Sequence, residues 1–146
     1  MIFVLYVDDC SPLLSSICRF LERTGDMMVE TALTHKEAER ILDYITFDVI
    51  VTDYNSKESA GTGFLRQMRQ KGIMTPFVFF TLEQNRSMED DAAHYGRVAF
   101  VPKILTFNSS FENLEKTIRT ITPAALLEDK NFQRDFVSPM KRGPSL

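Results

Sequence analysis

The chain alternates five times between a short apolar run and a segment in which apolar residues recur at helical spacing. The first run, Ile2–Val7, is apolar at every position, as expected of a strand that is covered on both faces. Strands and helices that alternate in this way form a parallel sheet with helices packed on both faces. The pattern therefore predicts an α/β fold built on a five-stranded parallel sheet.

The other runs and the segments between them predict the remaining elements. Met27–Ala32 is more polar and is typical of an edge strand, and three later strands are predicted at residues 49–51, 77–80 and 98–101. Capping residues and apolar stripes predict five helices. The predicted starting signals of the first, second and fifth helices are Ser11 with Pro12, Thr34 with Glu37, and Ser109 with Glu112. The third helix is predicted from Phe64, Leu65 and Met68, and the fourth over about residues 87–95 with Met88, Ala92 and Ala93 on its apolar side. Gly25 is the predicted stop of the first helix.

Length and composition predict a single domain. A chain of 146 residues can bury a core, and its hydrophobic (44%) and charged (25%) fractions are those of an ordinary soluble globular protein. We expect residues 1–122 to form this domain. Residues 123–146 are charged, contain Pro and Gly near their end, and are predicted to be a C-terminal tail or the stub of a linker.

The same composition disfavours several classes of protein. The net charge is −3 and no cluster of Lys or Arg stands out, which argues against direct nucleic-acid binding. No apolar stretch has the length of a membrane span, and the apolar start runs into Asp8 and Asp9 without a basic leader, unlike a secretory signal. Cys10 and Cys18 are too few for a disulfide framework. We therefore expect a cytoplasmic protein with reduced thiols.

Chemically active residues follow four of the five predicted strands. Asp8 and Asp9 follow the first strand, Asp53 the third, Thr81 the fourth and Lys103 the fifth. In parallel α/β sheets, ligands bind beyond the carboxyl ends of the strands, and these ends meet at one edge. The sequence thus predicts that three carboxylates, a hydroxyl and an ammonium group share one site.

Each of these groups has a defined chemical task in such a site. Three clustered carboxylates repel one another and favour a hard cation with oxygen ligands, which suits Mg²⁺. A carboxylate at such a metal can attack phosphorus to form an aspartyl phosphate, while the metal and a lysine neutralise the transferring charge. A threonine hydroxyl can bond the new phosphoryl oxygens in one state only, and can therefore bias a two-state element.

Four segments at the predicted strand ends resemble the signatures of response-regulator receiver domains of two-component signalling, such as those of chemotaxis regulators. They are residues 4–9 (VLYVDD), 48–53 (DVIVTD), 79–81 (FFT) and 100–103 (FVPK). The resemblance extends over about residues 2–121. It implies a flavodoxin-like, doubly wound sheet with the strand order 2-1-3-4-5 and helices on both faces.

The resemblance also implies residue roles. Asp53 is then the phosphoacceptor, which takes a phosphoryl group from a histidine kinase. Asp8, Asp9 and Asp53 bind Mg²⁺, and the backbone carbonyl of Asn55 completes the metal site. Lys103 pairs with the phosphoryl group. A chain of this kind catalyses its own phosphorylation, but it is a switch rather than an enzyme.

A route for the signal follows from the same resemblance. Thr81 is the switch hydroxyl, and Phe100 stands at the switch-aromatic position, although an aromatic residue in a fifth strand is equally typical of a core. Phosphorylation is then expected to change the surface around the fourth helix, fifth strand and fifth helix. That surface is expected to bind a downstream protein, an attached effector domain or a second copy of the chain in a homodimer.

Three departures from the family pattern concern the loops next to the acceptor and the lysine. Ser56-Lys57 replaces a common Met-Pro pair, and Ala60-Gly61 replaces Asp-Gly before the third helix. Ile104 follows the lysine where proline is common, and Pro102 precedes it. These changes bear on loop geometry, phosphoryl lifetime and the approach of the lysine, but none removes a chemically required group.

Three other functions compete with a phosphorylation switch. The first is a receiver-like protein-interaction module that never cycles phosphate, which the altered loop slightly favours. The second is an aspartyl-phosphate phosphatase, which normally has a second Asp where Asn55 stands. The third is a flavin-binding protein of similar topology, which needs a Ser/Thr/Gly-rich phosphate loop where Asp8 and Asp9 would repel the phosphate.

The remaining histidines and cysteines are not expected to take part in the chemistry. His35 and His94 are predicted to be surface residues away from the strand ends. Cys10 lies beside the acidic pair, where a reactive thiolate is disfavoured. Cys18 falls on the apolar stripe of the first helix and is expected in the core.

Overall fold

The computed structural model describes residues 1–54, 62–103 and 107–122, in which strands and helices alternate along the chain. The strands are β1 (Ile2–Val7), β2 (Met27–Ala32), β3 (Val49–Thr52), β4 (Phe77–Thr81) and β5 (Val98–Pro102). The helices are α1 (Ser11–Glu22), α2 (His35–Leu42), α3 (Gly63–Gln70), α4 (Arg86–Ala93) and α5 (Phe107–Ile121). The order and type of these elements agree with the sequence-based prediction.

All the described strands lie in one parallel sheet with the order β2-β1-β3-β4-β5, which confirms the predicted fold class and strand order. The chain changes direction across the sheet between β1 and β3. Ligands of open α/β sheets bind at such a switch point, beyond the carboxyl ends of the strands. The ends of β1 and β3 therefore flank the expected binding crevice.

The side chains of β1 alternate between two hydrophobic clusters, one on each face of the sheet. Ile2, Val4 and Tyr6 pack with α1 and α5, whereas Phe3, Leu5 and Val7 pack with α2, α3 and α4. Each of these six side chains is at most 3% exposed. Burying one large apolar side chain contributes about 2 kcal/mol to stability. The double coverage of β1 is thus the physical reason for its unbroken apolar sequence.

Helix α1 confirms one predicted boundary and corrects the other. Gly25, with a φ of 82°, follows the helix, and its N–H donates to the Glu22 carbonyl at 3.1 Å, so the predicted stop is right. Ser11, predicted to cap the helix, is instead its first residue, and Cys10 takes the cap position without a side-chain bond. Pro12 has no N–H, so it removes one of the donors that a capping side chain would bind.

The two predicted capping boxes have different outcomes. In α2 the Thr34 hydroxyl accepts the Glu37 N–H at 3.0 Å, as predicted. Helix α5 begins at Phe107, so Ser109 and Glu112, which were expected to cap it, lie within the helix instead. Serine and glutamate are both tolerated inside a helix, and their spacing alone does not fix where a helix begins.

Helix α4 is shifted by a residue or two from its predicted range. It begins at Arg86 rather than Ser87, because the side chain of Asn85 caps it by accepting the Met88 N–H at 3.0 Å. It ends at Ala93, which faces solvent rather than the core.

No helix within the described ranges is long and apolar enough to cross a membrane. The predicted tail, residues 123–146, lies outside the described residues. So do the predicted metal ligand Asn55 and the loop positions 56–57, 60–61 and 104.

Candidate functional site

Strand register brings the predicted site residues to one edge of the sheet. Val7 pairs with Thr52 across β1 and β3, so Asp8 and Asp53 follow neighbouring strand ends. On the other side of the crevice, Thr81 pairs with Pro102 across β4 and β5. The N–H of Lys103 then donates to the Thr81 carbonyl at 2.8 Å. This hydrogen bond fixes the position of the Lys103 backbone at the same edge of the sheet.

Lys103 bridges the two carboxylates that stand nearest the middle of the sheet. Its Nζ lies 2.8 Å from Asp8 Oδ2 and 3.3 Å from Asp53 Oδ2. The side chains are 14% exposed for Lys103, 6% for Asp8 and 25% for Asp53, so water screens the contacts only partly. Burial alone would lower the pKa of Lys103, but hydrogen bonds to and charges on Asp8 and Asp53 outweigh it and raise the pKa. The ammonium group is therefore charged at neutral pH.

Asp8 is held by three donors from different parts of the site. Oδ1 accepts the Cys10 N–H at 3.0 Å, and Oδ2 accepts the Tyr6 hydroxyl at 3.3 Å as well as the Lys103 ammonium. Burial, and then the charge on Asp8, raise the pKa of Tyr6 well above its usual value, so the phenol is a neutral donor. Asp9, the other half of the acidic pair, is exposed at the same edge.

Tyr6 has no predicted role of its own in the sequence, although it lies within the segment of residues 4–9. Its signal was the spacing: residues two apart in a strand point to the same face, so Tyr6 and Asp8 lie on one side of β1. A phenol at that position in an otherwise aliphatic and aromatic run needs an acceptor, because a buried hydroxyl without a hydrogen bond is costly.

The donor types at this edge fit Mg²⁺. Mg²⁺ is usually bound by one or two carboxylates together with several water molecules. Asp8 and Asp53 provide two carboxylates, and these already share one cation, the Lys103 ammonium group. The part of the chain that the structure describes brings together no group of three carboxylate, imidazole or thiol side chains that could hold a metal. The Lys103 ammonium instead links Asp8 to Asp53, and the predicted carbonyl ligand of Asn55 is outside the described ranges.

Thr81 and Phe100 occupy the other side of the crevice. Thr81 is the last residue of β4 and is 2% exposed. Phe100, in β5, is half-buried, and its ring centroid lies 5.2 Å from that of Phe79 and 5.8 Å from that of Tyr54. These contacts are compatible with both interpretations of Phe100, as a packing residue and as an aromatic residue that responds to the site.

Tyr54 connects the segment after β3 to α4, a contact that the sequence did not reveal. Its ring packs edge-on against Phe79, and its hydroxyl donates to Asp91 Oδ2 at 3.4 Å. The Thr62 hydroxyl donates to the same oxygen at 3.1 Å. Burial, and then the charge on Asp91, raise the pKa of Tyr54. The residue after Asp53 is thus hydrogen-bonded to the middle of α4.

The prediction for His35 is wrong, whereas His94 is exposed as predicted. His35 is half-buried, its ring stacks on Phe64 with centroids 4.4 Å apart, and its Nε2 lies 3.3 Å from Thr52 Oγ1. The physical reason is its place at the start of α2: a helix that follows a strand begins at the carboxyl edge of the sheet. Cys18 is half-buried rather than fully in the core, and burial raises the pKa of its thiol to about 11.

The fold and the acidic edge define a class that sequence comparison identifies. The chain matches the response regulator receiver domain family over residues 4–117, and it therefore belongs to this family. Receiver domains act in two-component systems with histidine kinases and effector domains, and they generally bind Mg²⁺ at an acidic pocket. A search of curated proteins gave no match to the chain.

Solved structures of receivers share the fold. The receiver domain of the Francisella response regulator 1452 is 21% identical with a TM-score of 0.73, over 84% of this chain and 97% of its own. The chemotaxis response regulator CheY4 of Vibrio cholerae is 28% identical with a TM-score of 0.71, over 83% and 98%. The non-phosphorylated HemR receiver domain of Leptospira biflexa is 25% identical with a TM-score of 0.69, over 81% and 94%.

Proposed function

We propose that this receiver is a phosphorylation switch in which Asp53 accepts a phosphoryl group from a histidine kinase in a Mg²⁺-dependent reaction. The observation that carries the proposal is the bridge from Lys103 Nζ to Asp8 and Asp53 at the carboxyl edge of the sheet. It joins a candidate nucleophile, a candidate metal ligand and a cation that can pair with a phosphoryl oxygen.

The reaction follows from the positions of these groups. A carboxylate oxygen of Asp53 attacks the phosphorus of a phosphohistidine, an O–P bond forms, and the P–N bond breaks as the imidazole takes the electron pair and a proton. Lys103 moves its ammonium from Asp53 Oδ2 to a phosphoryl oxygen. Mg²⁺, held by Asp8, Asp9 and Asp53, would neutralise further charge on the transferring group. The product remains attached to Asp53, so the chain is a switch rather than a turnover enzyme.

The proposed output lies on the far side of the crevice. Thr81 would bond the new phosphoryl group, and the aromatic contacts of Phe100 would respond to that bond. A groove of about 540 Å³ between the start of β5 and the second half of α5, lined in part by Val98, Ala99 and Ile121, supports a binding surface on the side of the molecule formed by these two elements. We expect a downstream protein, an attached effector domain or a second copy of the chain to bind this face.

A second candidate is a receiver that binds partners without cycling phosphate. It is favoured by the Lys103 bridge: the ammonium group contacts both Asp8 and Asp53 and neutralises one of their two charges, so these carboxylates already share a cation without a metal. The altered loop at positions 56–57 and 60–61 favours it too. This candidate and the switch differ in whether a phosphoryl group can be added.

The test is intact-mass measurement after incubation with Mg²⁺ and acetyl phosphate. We expect one added phosphoryl group on the wild-type chain, and none on Asp53→Asn or in the presence of EDTA. Asp90→Asn, the same change at an exposed position of α4, is the matched control and should be phosphorylated like the wild type. No adduct on a wild-type chain that binds Mg²⁺ would favour the non-cycling module.

A further inference from the structure

Tyr6 introduces a polar atom into a strand that is otherwise apolar. Its side chain is 1% exposed, and its ring packs edge-on against Phe80 with centroids 6.5 Å apart. This packing fixes the ring within the cluster between β1, α1 and α5. The hydroxyl is consequently held at one place, at the end of the ring that points towards the acidic edge, where it donates to Asp8 Oδ2 at 3.3 Å.

The three donors to Asp8 differ in how firmly they are held. The Cys10 N–H belongs to the backbone at the start of α1, and the Tyr6 hydroxyl is fixed by the packed ring. The third donor is the Lys103 ammonium, which ends a long side chain and is shared with Asp53. If the lysine turns towards a phosphoryl group on Asp53, Asp8 Oδ2 retains Tyr6 as its donor among these three.

We propose that Tyr6 is a positioning residue for the metal site, whose hydroxyl keeps the Asp8 carboxylate oriented for Mg²⁺ whether or not Lys103 contacts it. This inference rests on the proposed function. Groups that orient a metal-binding carboxylate commonly change metal affinity by about tenfold or more when they are removed. A phenylalanine keeps the ring and its packing and removes the hydroxyl alone, so Tyr6→Phe isolates this effect.

The experiment measures the Kd for Mg²⁺ by isothermal titration calorimetry. We expect Tyr6→Phe to weaken Mg²⁺ binding by roughly tenfold relative to wild type. Tyr95→Phe is the matched control, since it removes the hydroxyl of a half-buried tyrosine at the edge opposite the site, where Arg69 donates to the Tyr95 carbonyl. Its Kd should equal that of the wild type.

A second pair of variants separates positioning from a general loss of stability. In a Lys103→Met background the lysine no longer holds Asp8, so the added change Tyr6→Phe should weaken Mg²⁺ binding by a larger factor than it does in the wild type. The rise in Tm on adding Mg²⁺ should shrink in step with the Kd. Circular dichroism of each variant without metal shows that the compared chains are folded.

The inference would be overturned if Tyr6→Phe left the Kd for Mg²⁺ unchanged, both in the wild-type chain and in the Lys103→Met chain. The proposed switch would remain intact. An equal loss of affinity in Tyr95→Phe would overturn it too, because the effect would then not come from the hydrogen bond to Asp8. If the wild-type chain binds no Mg²⁺ and accepts no phosphoryl group, the proposed function fails, and this inference with it.

Discussion

Lys103 stabilises two carboxylates that would otherwise repel each other at a partly buried edge. Replacing it by methionine leaves Asp8 and Asp53 side by side without their shared cation. Removing one partner of a largely buried ion pair typically costs about 3 kcal/mol or more. We therefore expect Lys103→Met to lower the free energy of unfolding by about 3 kcal/mol at pH 7, measured by urea denaturation without metal. Added Mg²⁺ should restore more stability to the variant than to the wild type, because no ammonium group competes for the carboxylates.

The difference in unfolding free energy between the wild type and Lys103→Met should depend on pH in a defined direction. Because the pKa of Lys103 is raised above its ordinary value of 10.5 in the folded chain, its stabilisation is full below that value. It is lost as the pH rises through the folded pKa. The gap in unfolding free energy between wild type and Lys103→Met should stay constant from pH 7 to about pH 10 and narrow above it. A gap that is unchanged in strong alkali would contradict the assigned ion pair.

Helix α5 is attached to α1 and to the turn before β2 by charged side chains. Arg119 lies 2.7 Å from Asp26 and 3.2 Å from Glu115, and Glu115 also accepts from Arg23. The hydrogen bond from Arg119 holds the pKa of Asp26 well below its usual range, and the hydrogen bond from Arg23 lowers that of Glu115. These contacts fasten one side of the groove that we propose as part of the output surface.

Arg119→Met should destabilise the chain by about 1 kcal/mol at neutral pH, a modest value because solvent screens these half-exposed groups. A carboxylate with a lowered pKa stabilises the fold above its unfolded pKa, near 4, and ceases to do so as the pH falls through the folded value. The difference between wild type and variant in chemical denaturation should therefore be full at pH 7 and decline below about pH 4. A difference that grows in acid would be inconsistent with these ion pairs.

Helix α3 is tied to two loops at the edge opposite the site by Arg69. Its guanidinium donates to the backbone carbonyls of Ile73, Thr75, Tyr95 and Gly96 at 2.7–3.1 Å. Arg69→Met should lower stability by about 3 kcal/mol, since it leaves four carbonyl groups without this donor. Arg66→Met, on an exposed position of the same helix, is the control and should change little. The Kd for Mg²⁺ should be the same in both variants.

At the scale of the whole molecule, two residues connect the site around Asp53, the proposed acceptor, to α4. Tyr54 follows Asp53 directly and bonds Asp91, and Thr81 ends the strand that leads into α4. Phosphorylation should therefore change amide hydrogen exchange in α4 and β5 but not in the edge strand β2. Mass spectrometry of the wild type and Asp53→Asn, each with Mg²⁺ and acetyl phosphate, tests this. A change confined to β2, or an equal change in the variant, would refute it.

Most of the architecture could be predicted because it depends on local patterns. The apolar run Ile2–Val7 determines a central strand, and parallel strands deliver Asp8, Asp53 and Lys103 to a common edge. The contact of Tyr6 with Asp8 had a local signal in their two-residue spacing, but the contacts of His35 and Tyr54 could not be predicted in the same way. These contacts depend on the distances between packed helices and strands, and no periodicity along the chain encodes those distances.

The two buried phenols at this edge lie on opposite faces of the sheet, Tyr6 with α1 and α5 and Tyr54 with α2, α3 and α4. The chain has four tyrosines and no tryptophan, so no indole signal masks them. Of the other two, Tyr44 is 90% exposed. Tyr95 is half-buried at the opposite edge of the sheet, so the tyrosine signal in near-ultraviolet circular dichroism is expected to come mainly from Tyr6, Tyr54 and Tyr95, two of which flank Asp53. The chain thus contains a natural optical probe next to the site on each face of the sheet, Tyr6 on one and Tyr54 on the other, and needs no added label.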